Sequence, residues 1–289
     1  MSLEGTIPAL LTPFTDGGAE IDLDLLDEHV AWLAERGVRF LSPLGSTGEG
    51  VSLSLAERRR VIERLAAHPS GLGLLPGTGC NALPETIELS RFALDRGALG
   101  VLVAPPSYYA TSSAGTTRYF VRLLEALPPE SPVFAYHIPS LTGVPIADET
   151  LRALGPGLAG VKDSGGDLDH TVRWLRDFPH LLVLSGSDAF ASAAYAAGAR
   201  ATLTMLANVL PEELEGIRQG ERAGSRQELL TQVRELVGDF PRHAALKRLL
   251  HSVSGLPISA VRPPLEELTP AEAADLDTRF ATLRGEIHV

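Results

Sequence analysis

A chain of 289 residues, 44% apolar and 21% charged, fits one large α/β barrel with a sizeable core. Its net charge of −11 offers no basic face against phosphate repulsion, which argues against nucleic acid as a partner, and Cys80 as the only cysteine excludes an intrachain disulfide. The N-terminus lacks a basic segment followed by an apolar core, and no apolar run reaches membrane-spanning length, so a cytoplasmic enzyme is expected.

Taken in order, Thr6 to Thr12 is a short apolar strand closed by a turn over Pro13 to Gly18. Ile21 to Arg36 carries Leu25, Leu26, Val30 and Leu33 at helical spacing, and Gly37 ends that helix. A second strand, Val38 to Ser42, runs into the glycine-rich Gly45-Ser-Thr-Gly-Glu-Gly50. The next helix, about 54–68, opens with Ser54 and Glu57 in the spacing of a capping box. Strand Leu72 to Pro76 leads into Gly77-Thr-Gly-Cys80 and a helix over about 84–96; strand Leu99 to Val103 is followed by Tyr108-Tyr109 and a helix over about 114–127. Pro132 to Tyr136 is the fifth strand, and Leu158 to Val161 the sixth, with Lys162 where it stops. Leu181 to Ser185 and Ala201 to Met205 complete the set. Eight strands alternating with helices over about 205 residues predict a (β/α)8 TIM barrel, because parallel neighbours need crossover connections. The remainder, from Pro211, reads as helical with breaks at Gly238, Pro241, Gly255 and Pro263-Pro264. The expected organisation is a barrel over 1–220 and a C-terminal helical extension over 221–289, packed together as one unit.

In such barrels the active site lies at the C-terminal ends of the strands. What collects there is Ser46 and Thr47 after strand two, Tyr108 and Tyr109 after strand four, Tyr136 on strand five and Lys162 on strand six. Neighbouring strands lie about 5 Å apart, so Tyr136 and Lys162 are within reach of one another. An amine in a partly desolvated pocket loses its proton more easily and attacks ketones, which points to a Schiff base between Lys162 and a 2-oxo acid. A surface lysine past a strand end and a half-buried structural tyrosine are the plainer alternatives. The loop Gly45 to Gly50 lacks the pattern of a phosphate or dinucleotide loop, and is equally a carboxylate cradle or a tight turn. Asp163, Asp167, Asp169 and His170 read as a solvated helix start rather than a metal site, and Cys80 and His137 as packing residues. No cofactor or metal is expected.

The segments Gly45-Ser-Thr-Gly-Glu49, Tyr136-His-Ile-Pro-Ser-Leu-Thr-Gly143 and Gly160-Val-Lys-Asp-Ser-Gly-Gly-Asp167 resemble the three signatures of the dihydrodipicolinate synthase / N-acetylneuraminate lyase superfamily. The resemblance implies a class I aldolase-type lyase in which Lys162 forms the Schiff base, Tyr136 is the acid/base residue and Thr47 relays its proton. It puts the carboxylate loop on Ser46 and Thr47 and a tyrosine lent by a neighbouring subunit on Tyr108, with Leu141 and Leu203 as further substrate contacts. It also implies a homo-oligomer, dimer or tetramer. Dihydrodipicolinate synthases carry an arginine at the position of Leu141, where it binds the carboxylate of aspartate semialdehyde; a leucine makes no such contact. The expected substrate is therefore a small hydroxylated 2-oxo acid, such as 2-keto-3-deoxygluconate or 4-hydroxy-2-oxoglutarate, with pyruvate as product or donor. Dihydrodipicolinate synthesis, with Arg118 as a substitute donor, a sugar acid dehydratase and a silent binding or regulatory homologue are the alternatives.

Overall fold

The computed structural model describes residues 3–285. All eight expected strands are present, as short parallel pieces: β1 Gly5–Pro8, β2 Phe40–Leu41, β3 Gly73–Leu74, β4 Val101–Val103, β5 Val133–His137, β6 Gly160–Asp163, β7 Leu182–Ser185 and β8 Ala201–Thr204. Six of them form a continuous sheet in the order β1-β8-β7-β6-β5-β4, and β2 pairs with β3. Parallel bridges from Ala9 to Ser42 and from Gly77 to Leu102 tie the pair to both free edges of the six. The outcome is a curled, TIM-barrel-like parallel sheet with helices outside it.

The helices start where local chemistry starts them. Ser54 accepts from the Glu57 backbone N–H while the Glu57 carboxylate accepts from the Ser54 N–H, the expected capping box, and the helix runs Leu55–Ala66. Asp22, Ser112 and Asp167 cap the helices Leu23–Glu35, Ser113–Ala126 and Leu168–Asp177 with side-chain oxygens that accept from a first-turn backbone N–H.

Side-chain alternation divides each strand between two environments. Ile7, Leu102, Phe134, Tyr136, Leu184 and Leu203 turn into the barrel interior, whereas Val101, Val133, Ala135, Val161 and Val183 pack outward against the helices. Gly160 has no side chain because a Cβ there would strike the Phe134 ring and the Leu182 carbonyl.

The C-terminal part forms the helices Pro211–Arg218, Ala223–Gly238, Arg242–Ser254 and Pro270–Gly285; the last two separations fall at the predicted breaks, and the first, between Arg218 and Ala223, is not among them. Leu230, Val233, Leu246, Leu249 and Leu276 are fully buried in a cluster shared with Leu11 and Leu206 of the barrel. Residues 286–289 of the expected extension lie outside the described residues. Among those described, no helix is long and apolar enough to cross a membrane.

Candidate active site

The β5–β6 register pairs Tyr136 directly with Lys162, and Lys162 in turn with Leu184 of β7. Strand β6 runs on through Lys162 to Asp163, so the lysine stands within the ladder, one residue before its end, where a strand ending at Val161 would have left it just past the end. Both side chains are buried, at 4% exposure for Lys162 and 6% for Tyr136. The ammonium lies 4.2 Å from the centroid of the Tyr136 ring, and among the described residues no carboxylate pairs with it. This arrangement removes the surface-lysine alternative. A buried amine is held against a phenol instead of an acid.

The phenol is tuned by the same neighbours. Burial alone pushes the Tyr136 hydroxyl up, but the Lys162 charge and hydrogen bonds from Ser46, Lys162 and Ser164 outweigh it and hold the group below the ordinary tyrosine value. Ser46 Oγ stands 3.5 Å from the Tyr136 hydroxyl. The expected relay residue, Thr47, is half-buried on the same loop but makes no hydrogen bond to Tyr136; Ser46 occupies that place. Ser164 escaped the sequence reading, although its position two residues after Lys162 puts it on the same face of the chain.

The loop that carries Ser46 is a tight turn. A Cβ on Gly50 would collide with the Leu44 carbonyl, and Leu44 and Glu49 adopt left-handed backbone, with φ 64° and 54°. Thr12 Oγ1 donates to the Gly48 carbonyl at 2.7 Å, and His243 Nε2 lies 2.9 Å from the Ser46 carbonyl. The Glu49 carboxylate, which points away from Tyr136 into the C-terminal helices, pairs with Lys247 at 2.6 Å.

Behind Lys162, on the outer face of the barrel, Asp163 is not the solvated group the sequence suggested. It is 1% exposed and accepts from His170 Nδ1 at 2.9 Å, Thr171 Oγ1 at 2.7 Å and the Gly165 N–H at 3.0 Å. Burial raises its carboxyl, and these bonds more than reverse that. Asp167, Asp169 and His170 do belong to the helix start, Asp167 capping it by accepting from the Asp169 N–H. His137 stacks on His170, whose ring sits 4.1 Å from Trp174. Burial holds the His137 imidazole below its ordinary range, and its Nδ1 accepts from the Ile146 N–H. Ligand-type atoms of His137, Asp163 and His170 lie within 4.8 Å of one another, yet Nδ1 of both imidazoles and both Asp163 oxygens have partners inside the protein. The cluster fastens the helix Leu168–Asp177 to the end of β6 and so fixes the strand that carries Lys162.

The other expected contacts are spread around the mouth. Tyr108 and Tyr109 stand edge to face, 79% and 78% exposed, and Leu141 is 60% exposed on the short helix Pro139–Thr142. Leu203 is fully buried in the interior cluster that includes Tyr136. Arg118 is exposed on the helix Ser113–Ala126. An apolar recess of about 560 Å³, lined in part by Leu127, Phe134 and Leu182, opens at the opposite, N-terminal end of β5 and β6 and holds none of these residues.

Similarity to known proteins runs along nearly the whole chain. The sequence model of the dihydrodipicolinate synthetase family matches residues 2–281. The chain belongs to that family. It is 39% identical to an uncharacterized DapA-like lyase of Chloroflexus aurantiacus, over 96% of this chain and 95% of the relative. It is also 35% identical to a 4-hydroxy-tetrahydrodipicolinate synthase of Methanopyrus kandleri, over 92% of this chain and 91% of that one. Among solved structures it resembles KD(P)GA from T. tenax, with a TM-score of 0.90 and 30% identity, covering 98% of this chain and 100% of the other. Members of the dihydrodipicolinate synthetase family are lyases, and class I Schiff-base chemistry is general among them.

Proposed function

We propose that this family member is a class I aldolase in which Lys162 forms an imine with the keto group of pyruvate or of a longer 2-oxo acid. The observation that carries the reading is the buried Lys162 amine facing the Tyr136 phenol, with Ser46 and Ser164 hydroxyls beside it. In cleavage, the amine adds to the 2-oxo carbon and water leaves. Tyr136 then takes the proton from the C4 hydroxyl as the C3–C4 bond breaks, and an aldehyde departs. The remaining enamine is protonated at C3, and hydrolysis returns pyruvate and the free lysine. Ser46 and Thr47, on the glycine-rich turn, receive the substrate carboxylate, and Leu203 floors the pocket. The same reading includes a closed (β/α)8 barrel, a homo-oligomer in which Tyr108 is lent across an interface, and a cytoplasmic location.

Among small hydroxylated 2-oxo acids, Leu141 favours one whose aldehyde half is uncharged, such as 2-keto-3-deoxygluconate, over one with a second carboxylate, such as 4-hydroxy-2-oxoglutarate. At 60% exposure Leu141 leaves a carboxylate partly hydrated but offers it no partner, so the charge-assisted bond of an arginine, worth about 1.5–3 kcal/mol, is missing. The relatives named 4-hydroxy-tetrahydrodipicolinate synthase support a second reading, condensation of pyruvate with aspartate semialdehyde. The test is kcat/KM for three reactions side by side: cleavage of each hydroxylated acid and condensation with the semialdehyde. The greatest value for a cleavage supports the first reading, and the greatest for the semialdehyde overturns it.

A further inference from the structure

Glu49 closes the loop Gly45–Gly50 in a way that packing does not require. Its side chain is fully buried, its backbone is left-handed, and its carboxylate is gripped at both oxygens: Lys247 Nζ donates to Oε1 at 2.6 Å, and the Arg262 N–H donates to Oε2 at 2.9 Å. Lys247 is itself 2% exposed and donates a second bond to the Ala260 carbonyl at 2.6 Å. Burial pulls the Lys247 ammonium below its ordinary value, and the Glu49 charge opposes that. A buried pair of this kind recovers its desolvation cost only in part, so an apolar pair would serve stability as well. What the ion pair adds is direction. It pins residue 49, whose N–H donates to the Ser46 carbonyl at 3.1 Å. His243, one turn before Lys247 on the helix Arg242–Ser254, reaches that same carbonyl with Nε2 at 2.9 Å. Because a carbonyl only accepts, Nε2 carries the proton.

We propose that Lys247 and His243 are positioning residues, which hold the Ser46–Thr47 turn in the shape that receives the substrate carboxylate. The C-terminal helices thereby act on the site from behind, with no contact to substrate. This inference rests on the Schiff-base reading of Lys162.

The probe is pyruvate, titrated in the presence of borohydride and read as adduct by intact mass, on the full chain. Lys247→Met and His243→Ala should each raise the half-saturating pyruvate concentration by roughly 10-fold to 100-fold, the range that a displacement of about 1 Å in a binding group produces. The adduct at saturation should remain on Lys162, and Lys247→Arg should recover part of the loss. Arg279→Ala, which breaks an exposed pair with Asp239 in the same helical layer, should leave the titration unchanged. Folded Lys247→Met and His243→Ala proteins with lowered melting temperatures but wild-type half-saturation would reduce both residues to structural supports and overturn the inference. If Lys247→Met does not fold, His243→Ala decides it alone, by the same criterion. Wild-type protein that gains no adduct at any concentration refutes the Schiff-base reading, and this inference with it.

Discussion

Replacing Tyr136 by phenylalanine removes one oxygen from the site and nothing else. The ring that packs against the Lys162 ammonium stays, and so does the interior cluster with Phe134 and Leu184. The hydroxyl has Ser46 Oγ at 3.5 Å, the outer limit of a hydrogen bond, and Lys162 and Ser164 as its other polar partners. Its loss should therefore cost about 1–2 kcal/mol of stability, which lowers the melting temperature by only a few degrees, roughly 2–6 °C. Turnover is different. A positioned proton donor and acceptor contributes about 10²–10⁴-fold, so kcat should fall by that factor. The wild-type pH profile should also carry an ionisation below the ordinary tyrosine value of 10.0 that the variant lacks. The assay is pyruvate release across pH, beside a thermal melt of each protein. Near-normal kcat in a folded Tyr136→Phe protein would remove the phenol from the mechanism. A collapse in melting temperature that accounts for the lost activity would return it to a packing role.

Two further outcomes follow from particular side chains. His29 is buried, and desolvation pushes its imidazole from 6.5 down to about 4, with the Asn208 backbone opposing. The unfolded chain therefore takes up that proton first, and stability should be full above pH 6.5 and fall by about 3 kcal/mol as pH drops to about 4. His29→Gln should flatten this part of the urea-midpoint profile, and an unchanged profile would assign the acid limb elsewhere. Leu141 is exposed at the mouth, so Leu141→Arg can extend into solvent without strain. It should raise kcat/KM for aspartate semialdehyde about tenfold or more, as a charge-assisted carboxylate contact allows, and no change would take position 141 out of acceptor selection.

Most of the fold was legible because its signals are local. Short Val- and Leu-rich runs between amphipathic segments, the Ser54–Glu57 box and the glycine and proline breaks each act within a few residues. The Tyr136–Lys162 pair was legible for a related reason: parallel neighbours in an eight-unit pattern bring strand ends together. Three features were not. Asp163 follows Lys162 and was grouped with the acids of the helix start, but alternation turns it to the outer face, where only the folded chain supplies His170 and Thr171. Ser46 and Thr47 both carry hydroxyls, and only the bend of the glycine turn decides which one meets Tyr136. Lys247 lies 198 residues from Glu49, a separation at which one sequence carries no trace of pairing.

The central claim is that Lys162 is the residue that makes the covalent bond. Lys247 is the only other lysine in the chain, and it is buried against Glu49. Borohydride reduction in saturating pyruvate, followed by intact mass and peptide mapping, tests the claim directly. The account predicts one reduced pyruvate adduct per chain, on Lys162, and none on the Lys162→Ala protein. An adduct that persists in Lys162→Ala, or that maps to Lys247, would contradict it.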